Sequence, residues 1–500
     1  MPEEILTSTP WSDPNHPDPV TQVSARSRSH RPERIDLANA RRSRAHAISS
    51  VAFRLFLLTN CVIFLRPSDW LPSLANLPIY QVMMLLTLLA WAPAMHVTRA
   101  MRSPIAFCVV MLLPAVVLSH LMHAHADLLD ARDDSIDFAK KVIYFLMIVG
   151  LVTTPARFRT LLKWITPCII GLTVLGLLQF HGFIDFPALA AYQQNLLDQI
   201  DPLTGEVGTM ARLCSMGIFN DPNDLCMILC FGFLLSLYWL HDGQQDGPDG
   251  PRRRRSVWSS WHFRWIPVAV MFLWAVYCTH SRGGFLALLT GVTVFITARF
   301  GIKRSIPLIL VVLPVLVIAF AGRSTEIDTQ ETTAQDRIKL WSAGLEMFKS
   351  APFFGIGMNQ FVEQEGLVAH NSFVHCFSEL GFFGGTLFLG GFIYCIWGLA
   401  RLPKFAPVFT DIATARFQPY LLGTFASYAV GYLTLSRAYT EPTYLMWGLA
   451  AVYLSLAAAN CRDAMPRLSW RMVTWACTFG VCFVVIMYLF VRFFAHFGGS

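Results

Sequence analysis

Long apolar stretches separated by short polar loops dominate the sequence. A transmembrane helix needs about 20 mostly apolar residues, and about thirteen segments approach that length. They are residues 51–66, 78–97, 104–122, 138–154, 160–180, 223–241, 265–280, 283–299, 306–321, 373–400, 417–436, 440–459 and 470–492. Because the segments are too long and too uniformly apolar for barrel strands, helices are expected. The pattern predicts an all-α, polytopic integral membrane helix bundle of about 12 to 13 transmembrane helices.

A polar loop at 322–372 interrupts this pattern. Five of its residues recur at helical spacing: Arg337, Leu340, Trp341, Leu345 and Phe348. This spacing predicts an amphipathic helix of about four turns. Asp336 lies near the expected start of the helix, and Pro352 with Gly355 and Gly357 is expected to end it.

Composition and charge agree with a membrane protein. Of the 500 residues, 54% are hydrophobic and 14% are charged, which excludes an ordinary soluble enzyme. About two thirds of the 39 Lys and Arg residues fall in the first 50 residues and in alternate loops, as the positive-inside rule expects for a cytoplasmic N-terminus. The large loop at 322–372 is then extracytoplasmic. The net charge of +7 reflects topology and contact with membrane lipids, and no nucleic-acid partner is expected.

The chain divides into a tail and one membrane domain. Residues 1–47 are basic and rich in Pro and Ser, without the apolar core of a signal peptide, and predict a disordered cytoplasmic tail. Residues 48–495 form a single polytopic domain without an internal repeat. The 12 cysteines are scattered and match neither a disulfide framework nor a zinc ligand set.

Several polar motifs favour structural roles over chemistry. Gly355-Ile-Gly357 follows no strand and continues as no phosphate-binding loop, so it is expected to shape a turn. Asp221-Pro-Asn-Asp224 is expected to cap a helix that starts near Leu225. His375 and Glu379 are spaced for an ordinary ion pair within one helix.

A cluster of three histidines and an aspartate could suggest a metal site: His120, His123, His125 and Asp127. Their irregular spacing at a helix end favours an interfacial loop instead. No metal site and no cofactor are therefore predicted.

Three residues could together carry chemistry. Arg282 lies between two apolar segments with almost no linker, and an arginine at that depth usually faces a cavity, a partner or lipid phosphates. Arg337 could bind a ligand or form a salt bridge with Asp336 or Glu331. His370 could transfer a proton or serve only as a loop histidine. Two guanidinium groups and an imidazole that converge would suit a diphosphate and a proton.

The order of these motifs resembles the O-antigen ligase/polymerase family. The matching residues are Arg212, the Phe219–Asn223 stretch, Ser281-Arg282-Gly283, Arg337-x-x-x-Trp341, Pro352-x-x-Gly355-x-Gly357-x-Asn359-x-Phe361, His370-Asn371-Ser372-Phe373 and Glu379-Leu-Gly381. The specific motifs cover roughly residues 205–400, and the flanking helices match only in architecture. The basic tail and the Arg252–Arg255 run are departures from the family pattern.

The resemblance implies a GT-C-like membrane glycosyltransferase of the bacterial inner membrane, without a metal ion. It would take a glycan from an undecaprenyl-diphosphate donor on the outer face and pass it to lipid A-core, a growing polysaccharide or another glycan acceptor, in lipopolysaccharide or polysaccharide biosynthesis. Arg282 and Arg337 would bind the diphosphate, and His370 would position or deprotonate the acceptor hydroxyl. Arg212, Asn371 and Trp341 would support the site.

Two alternatives stay open. A ligase and a polymerase are not separated by helix count. A polysaccharide or lipid-linked glycan transporter or flippase would suit the architecture, but it should show repeat symmetry and ionisable residues near mid-membrane. Here the distinctive charges lie at one membrane face, which favours an enzyme.

Overall fold

The computed structural model describes residues 31–70, 72–74, 77–122, 128–186, 189–200, 207–242, 263–321, 331–404, 409 and 411–494. The α-helices in these ranges are α1 Arg31–Leu65, α2 Pro67–Trp70, α3 Ile79–Trp91, α4 Pro104–Leu121, α5 Leu128–Leu151, α6 Pro155–Phe180, α7 Pro222–Asp242, α8 Trp265–Cys278, α9 Arg282–Phe300, α10 Ile302–Ala321, α11 Glu331–Ser350, α12 Gln360–Glu365, α13 Ser372–Arg401, α14 Ile412–Ala415, α15 Gln418–Gly431, α16 Glu441–Ala457 and α17 Trp470–Phe494. Two strands, β1 Tyr192–Ile200 and β2 Val207–Arg212, form an antiparallel pair.

The all-α polytopic membrane class is confirmed, and each predicted apolar segment overlaps one helix. Within the described ranges, 7 helical segments are long and apolar enough to cross a membrane: Ala47–Asp69, α4, α6, α7, α9, α13 and α17. Two further apolar helical segments, Ile79–Ala94 and α8, are shorter. The number of segments that qualify on their own is therefore smaller than the 12 to 13 expected from the sequence.

Two local expectations differ from the structure. Helix α1 begins at Arg31, so residues 31–47 are helical where a disordered tail was expected, and residues 1–30 lie outside the described part. The β1–β2 hairpin lies in the polar loop at 181–222, for which no strand was predicted. That hairpin ends at Arg212, a candidate site residue.

Small residues let helix α9 pack closely on α15. A methyl group on Gly423 would lie 2.7 Å from the carbonyl oxygen of Gly291, and one on Gly291 would lie 3.1 Å from the carbonyl oxygen of Gly423. Such contacts between backbones are typical of membrane helices, which associate by packing and not by exclusion of water. The crossing fixes α9, and with it Arg282, against the rest of the bundle.

The amphipathic helix expected in the large loop is present as α11. Its buried face, which includes Ile338 and Leu345, packs with residues of α13 and α17. Trp341 lies against Phe490, with ring centroids 5.8 Å apart. The helix begins at Glu331, so Asp336 lies in its second turn and not near its start.

The glycine-rich turn after α11 is built into a break in α13. Gly381 has φ 63° and ψ −163°, which interrupts the helix and frees carbonyl groups before it. The N–H groups of Ile356 and Gly357 donate to the carbonyl oxygens of Ser378 and Glu379, at 3.1 and 3.0 Å. A methyl group on Gly355 would lie 2.3 Å from that Glu379 carbonyl. The turn is a packing element, in agreement with its expected structural role.

Candidate active site

A hydrogen bond from α11 to the residue before His370 brings Arg337 toward that histidine. Trp341 lies one turn after Arg337 and donates its indole N–H to the carbonyl oxygen of Ala369, 2.9 Å away. One turn further along α11, Gly344 lies so close to α13 that a methyl group there would be 2.8 Å from the Ser378 hydroxyl. Residues 337 and 370 are therefore fixed relative to each other by packing and by this bond.

His370 has a strained backbone immediately before α13. Its φ is 50°, a left-handed value that is uncommon for residues with a side chain. Asn371 follows as the N-cap, and its side-chain oxygen accepts the N–H groups of Phe373 and Val374 at 3.0 and 3.2 Å. Strain of this kind costs on the order of 1–3 kcal/mol and persists only where the surroundings hold it. The cap and the Ala369 bond are two such restraints.

Arg282 is the first residue of α9. Ser281 is the N-cap and accepts the N–H of Gly284, and His280 before it has φ 53°, the same arrangement as at His370. The two glycines after Arg282 permit close approach: methyl groups there would overlap Thr434 at 2.3 Å and Cys226 at 2.1 Å. These glycines allow Cys226 of α7 and Thr434, which follows α15, to come near the arginine.

Asn223 joins the beginnings of α7 and α9. Its side-chain oxygen accepts the hydroxyl of Ser281 at 2.7 Å and a guanidinium N–H of Arg212 at 3.1 Å. Arg212 also donates from Nε to the carbonyl oxygen of Thr279, 2.9 Å away. Arg212 therefore connects the β hairpin to the turn that precedes Arg282.

Arg437, which the sequence analysis did not single out, joins the beginnings of α7 and α13. Its guanidinium forms an ion pair with Asp224, which is 7% exposed in the first turn of α7. Its backbone N–H donates to the hydroxyl of Ser372 at 2.9 Å, and Ser372 donates its own N–H to the carbonyl oxygen of Tyr432 at 2.8 Å. The three helix beginnings, at Pro222, Arg282 and Ser372, thus meet in one region.

Like charges interact in this region. Arg282 and Arg337 repel each other electrostatically, and Arg337 in turn acts on His370. Among the residues whose side chains the structure describes, neither arginine forms an ion pair or a side-chain hydrogen bond. Burial lowers the pKa of Arg337, and the nearby Asp221 opposes that effect only in part. An anion between the two guanidinium groups would relieve both costs.

The environment of His370 disfavours protonation of its imidazole. Burial and then the charge of Arg337 lower its pKa below the ordinary value of about 6.5, while Asp221 acts in the opposite direction. A neutral imidazole at neutral pH can accept a proton. The region therefore combines one potential base with two arginines that form no ion pair among the described side chains.

The remaining sequence expectations about this region have clear outcomes. Asp336 pairs with Lys339 at 3.2 Å and not with Arg337. Asp221 caps α7 by accepting the N–H groups of Asn223 and Asp224, as expected. The predicted pair of His375 and Glu379 is present, with Nε2 and Oε1 3.0 Å apart.

Of the suspected histidine cluster, the structure describes His120, which lies 3.3 Å from the carboxylate of Asp134. Residues 123–127 lie outside the described part. Within the part described, no group of three or more His, Cys, Asp or Glu residues is arranged to hold a metal ion.

A sequence signal for Arg437 did exist. It lies between the apolar segments 417–436 and 440–459 with almost no linker, which is the feature that singled out Arg282. The same signal applied to both hairpins would have found both arginines. Its partner Asp224 was interpreted only as part of a helix cap, because the pairing joins residues far apart in the chain.

Comparison with known proteins gives one family match. Residues 267–389 match the family model described as O-Antigen ligase. The matched region begins in α8 and ends in α13, and it contains Arg282, Arg337 and His370 but not Arg212 or Arg437. No curated protein matches the chain. The resemblance stated from the sequence motifs is confirmed at the level of this family.

Proposed function

We propose that this chain, whose residues 267–389 match the O-Antigen ligase family model, transfers a glycan from an undecaprenyl-diphosphate carrier to an acceptor hydroxyl. The family implies a ligase-like or polymerase-like membrane glycosyltransferase. We propose in addition the identity of the donor, the reaction mechanism and the residues that catalyse the reaction.

One observation supports the proposal: Arg282 and Arg337 come from separate elements, repel each other electrostatically, and form no ion pair with a carboxylate among the described side chains, although Asp221 acts on Arg337 at longer range. Two adjacent guanidinium groups offer forked N–H donors that match phosphate oxygens. A diphosphate brings at least two negative charges. The charge and the donor geometry therefore suit the leaving group of a lipid-linked glycan.

In the proposed reaction, the acceptor hydroxyl oxygen attacks the anomeric carbon of the donor glycan. A new carbon–oxygen bond forms while the bond from that carbon to the diphosphate oxygen breaks. His370 takes the hydroxyl proton, and the undecaprenyl diphosphate leaves with the bonding electron pair. Arg282 and Arg337 stabilise the developing charge on the leaving group, which needs no metal ion. Attack opposite the diphosphate inverts the anomeric centre.

The proposed place of reaction is the outer face of the bacterial inner membrane. The distribution of Lys and Arg supports this proposal, because the positive-inside rule favours that side for α11 and for the beginnings of α7, α9 and α13. The proposed acceptors are lipid A-core or a growing polysaccharide. The ion-paired Arg437 and Asp224 lie beside this face and are not assigned direct contact with substrate.

A transfer assay tests the proposal. Membrane vesicles with wild-type protein, Arg282→Ala, Arg337→Ala or His370→Ala receive a lipid-linked glycan and candidate acceptors. We expect each substitution to abolish product while membrane abundance stays unchanged. Lys339→Ala is the matched control, since Lys339 lies exposed on the same helix as Arg337 and pairs with Asp336. Normal transfer by Arg337→Ala would refute the mechanism. The product identifies the activity: a capped acceptor indicates a ligase and a lengthened chain a polymerase.

A further inference from the structure

A charged pair with no assigned role stands beside the proposed base. Arg437 and Asp224 come from positions 213 residues apart in the chain, and the carboxylate is largely buried. Arg437 uses Nε and one terminal nitrogen on the two oxygens of Asp224, and its other terminal nitrogen donates to the Ser436 carbonyl oxygen at 3.0 Å. A guanidinium engaged in this way has little capacity left for a phosphate.

The backbone of Arg437 is equally fixed. Its carbonyl oxygen accepts the hydroxyl groups of Thr440 and Thr443, at 3.1 and 2.7 Å. Its N–H bonds the hydroxyl of Ser372, two residues after His370. Arg437 is therefore a cation held in one place and joined through Ser372 to the strained segment that carries His370.

We propose that Arg437, held by Asp224, is a positioning residue that fixes the position and the electrostatic environment of His370. This inference deepens the proposed function and rests on His370 as its base. Arg437 acts on His370 without touching the substrate. Its bond to Ser372 restrains the start of α13, and its positive charge opposes protonation of the imidazole.

Other charged groups also face His370. Arg337 on α11 acts in the same direction as Arg437, Asp221 before α7 acts in the opposite direction, and His375 on α13 adds a further unfavourable interaction with the protonated form. Because Arg337 also belongs to the proposed diphosphate site, Arg437 is the arginine near His370 whose charge can be changed without removing a proposed ligand contact.

The two members of the pair have opposite charges, and this gives a sharp test. Arg437→Gln removes the positive charge that opposes protonation of His370, so the pKa of His370 should rise. Asp224→Asn leaves Arg437 uncompensated, so the pKa of His370 should fall. A shift of about 0.5 pH unit in each direction is expected from charges screened near a protein surface. A purely structural role of the ion pair would move both variants in the same direction.

The readout is the pH dependence of carbethoxylation of His370 by diethyl pyrocarbonate, which reacts with neutral imidazole, measured on the His370 peptide by mass spectrometry. Purified full-length protein is used, and no glycan substrate is needed. The result is therefore independent of whether the proposed transfer activity is correct. Arg437→Lys should keep the wild-type midpoint, and Arg437→Gln with Asp224→Asn combined should return close to it.

Arg467→Gln is the matched control, because Arg467 also pairs with an aspartate, Asp463, but both side chains are more than 70% exposed. It should leave the midpoint unchanged. Opposite shifts in Arg437→Gln and Asp224→Asn support the proposal. Equal midpoints in all variants, or shifts of the same sign in both, would overturn it. Should one single variant fail to fold, the lysine variant and the double variant still decide: a midpoint that moves in Arg437→Lys contradicts the proposal.

Discussion

Trp341 donates its indole N–H to the carbonyl oxygen of Ala369 across 2.9 Å. The bond joins the amphipathic helix α11, one turn after Arg337, to the residue before His370. This bond holds Arg337, a cation, and His370, the proposed base, in fixed relative positions near the start of α13. The proposed reaction depends on the relative positions of these two residues, because the diphosphate and the acceptor hydroxyl must bind next to each other.

Trp341→Phe should weaken transfer more than it weakens the fold. Phenylalanine keeps an aromatic ring against Phe490 but loses the bond to Ala369. A hydrogen bond of this kind contributes about 0.5–1.5 kcal/mol, so a loss of turnover of about fivefold is expected. Turnover and thermal unfolding in detergent are measured together. Trp470→Phe serves as control, since Trp470 is 85% exposed. Unchanged turnover in Trp341→Phe would show that the bond does not position the site.

The transfer rate should retain its full value well below neutral pH. Burial and Arg337 lower the pKa of His370, so the imidazole stays unprotonated until the pH falls below about 6.5. Removal of the positive charge in Arg337→Gln raises that pKa and should move the acid limb of the residual activity to higher pH. Arg337→Lys keeps the charge and should not move it. Rates are compared from pH 5 to 8 in steps of about half a unit. An acid limb that is the same in Arg337→Gln and Arg337→Lys contradicts this electrostatic account.

Gly355→Ala should destabilise the protein far more than Gly366→Ala. Both glycines have positive φ, 76° and 71°. An added methyl group at Gly366 meets nothing within 4 Å, whereas at Gly355 it would lie 2.3 Å from the backbone of Glu379. Gly366→Ala thus costs only backbone strain, about 1 kcal/mol, and Gly355→Ala adds an overlap that costs about 3 kcal/mol or more. Folded yield and thermal stability are the measurements. Equal losses in the two variants would mean that the turn does not pack against the break in α13.

The sequence predicts those features that depend on local pattern. The lengths of the apolar segments predicted the positions of the membrane helices, and the helical spacing of residues in the large loop predicted α11. The residue types at positions 221 and 371 agree with the helix caps in the structure. Features that depend on distant residues were not found. The break at Gly381 requires the carbonyl groups before it to meet the turn at residues 355–357, and local helical pattern gives no sign of this.

The candidate site shows the same division. The order of the motifs identified Arg282, Arg337 and His370 as candidates, and Arg337 interacts electrostatically with the other two. The partners that fix them are distant in sequence, such as Ala369 for Trp341 and Asp224 for Arg437. The packing of whole helices determines which distant residues pair, and no local pattern in a single sequence predicts these pairs.

The central claim is that two arginines bind the diphosphate while His370 moves the proton. Its most direct test measures donor affinity and single-turnover rate for Arg282→Gln, Arg337→Gln and His370→Gln. We expect each arginine variant to bind the undecaprenyl-diphosphate donor at least about tenfold more weakly and to lose about 100-fold or more in rate. His370→Gln should bind the donor like the wild type and lose about 100-fold or more in rate. Unchanged donor affinity in both arginine variants, or wild-type turnover by His370→Gln, would contradict the account.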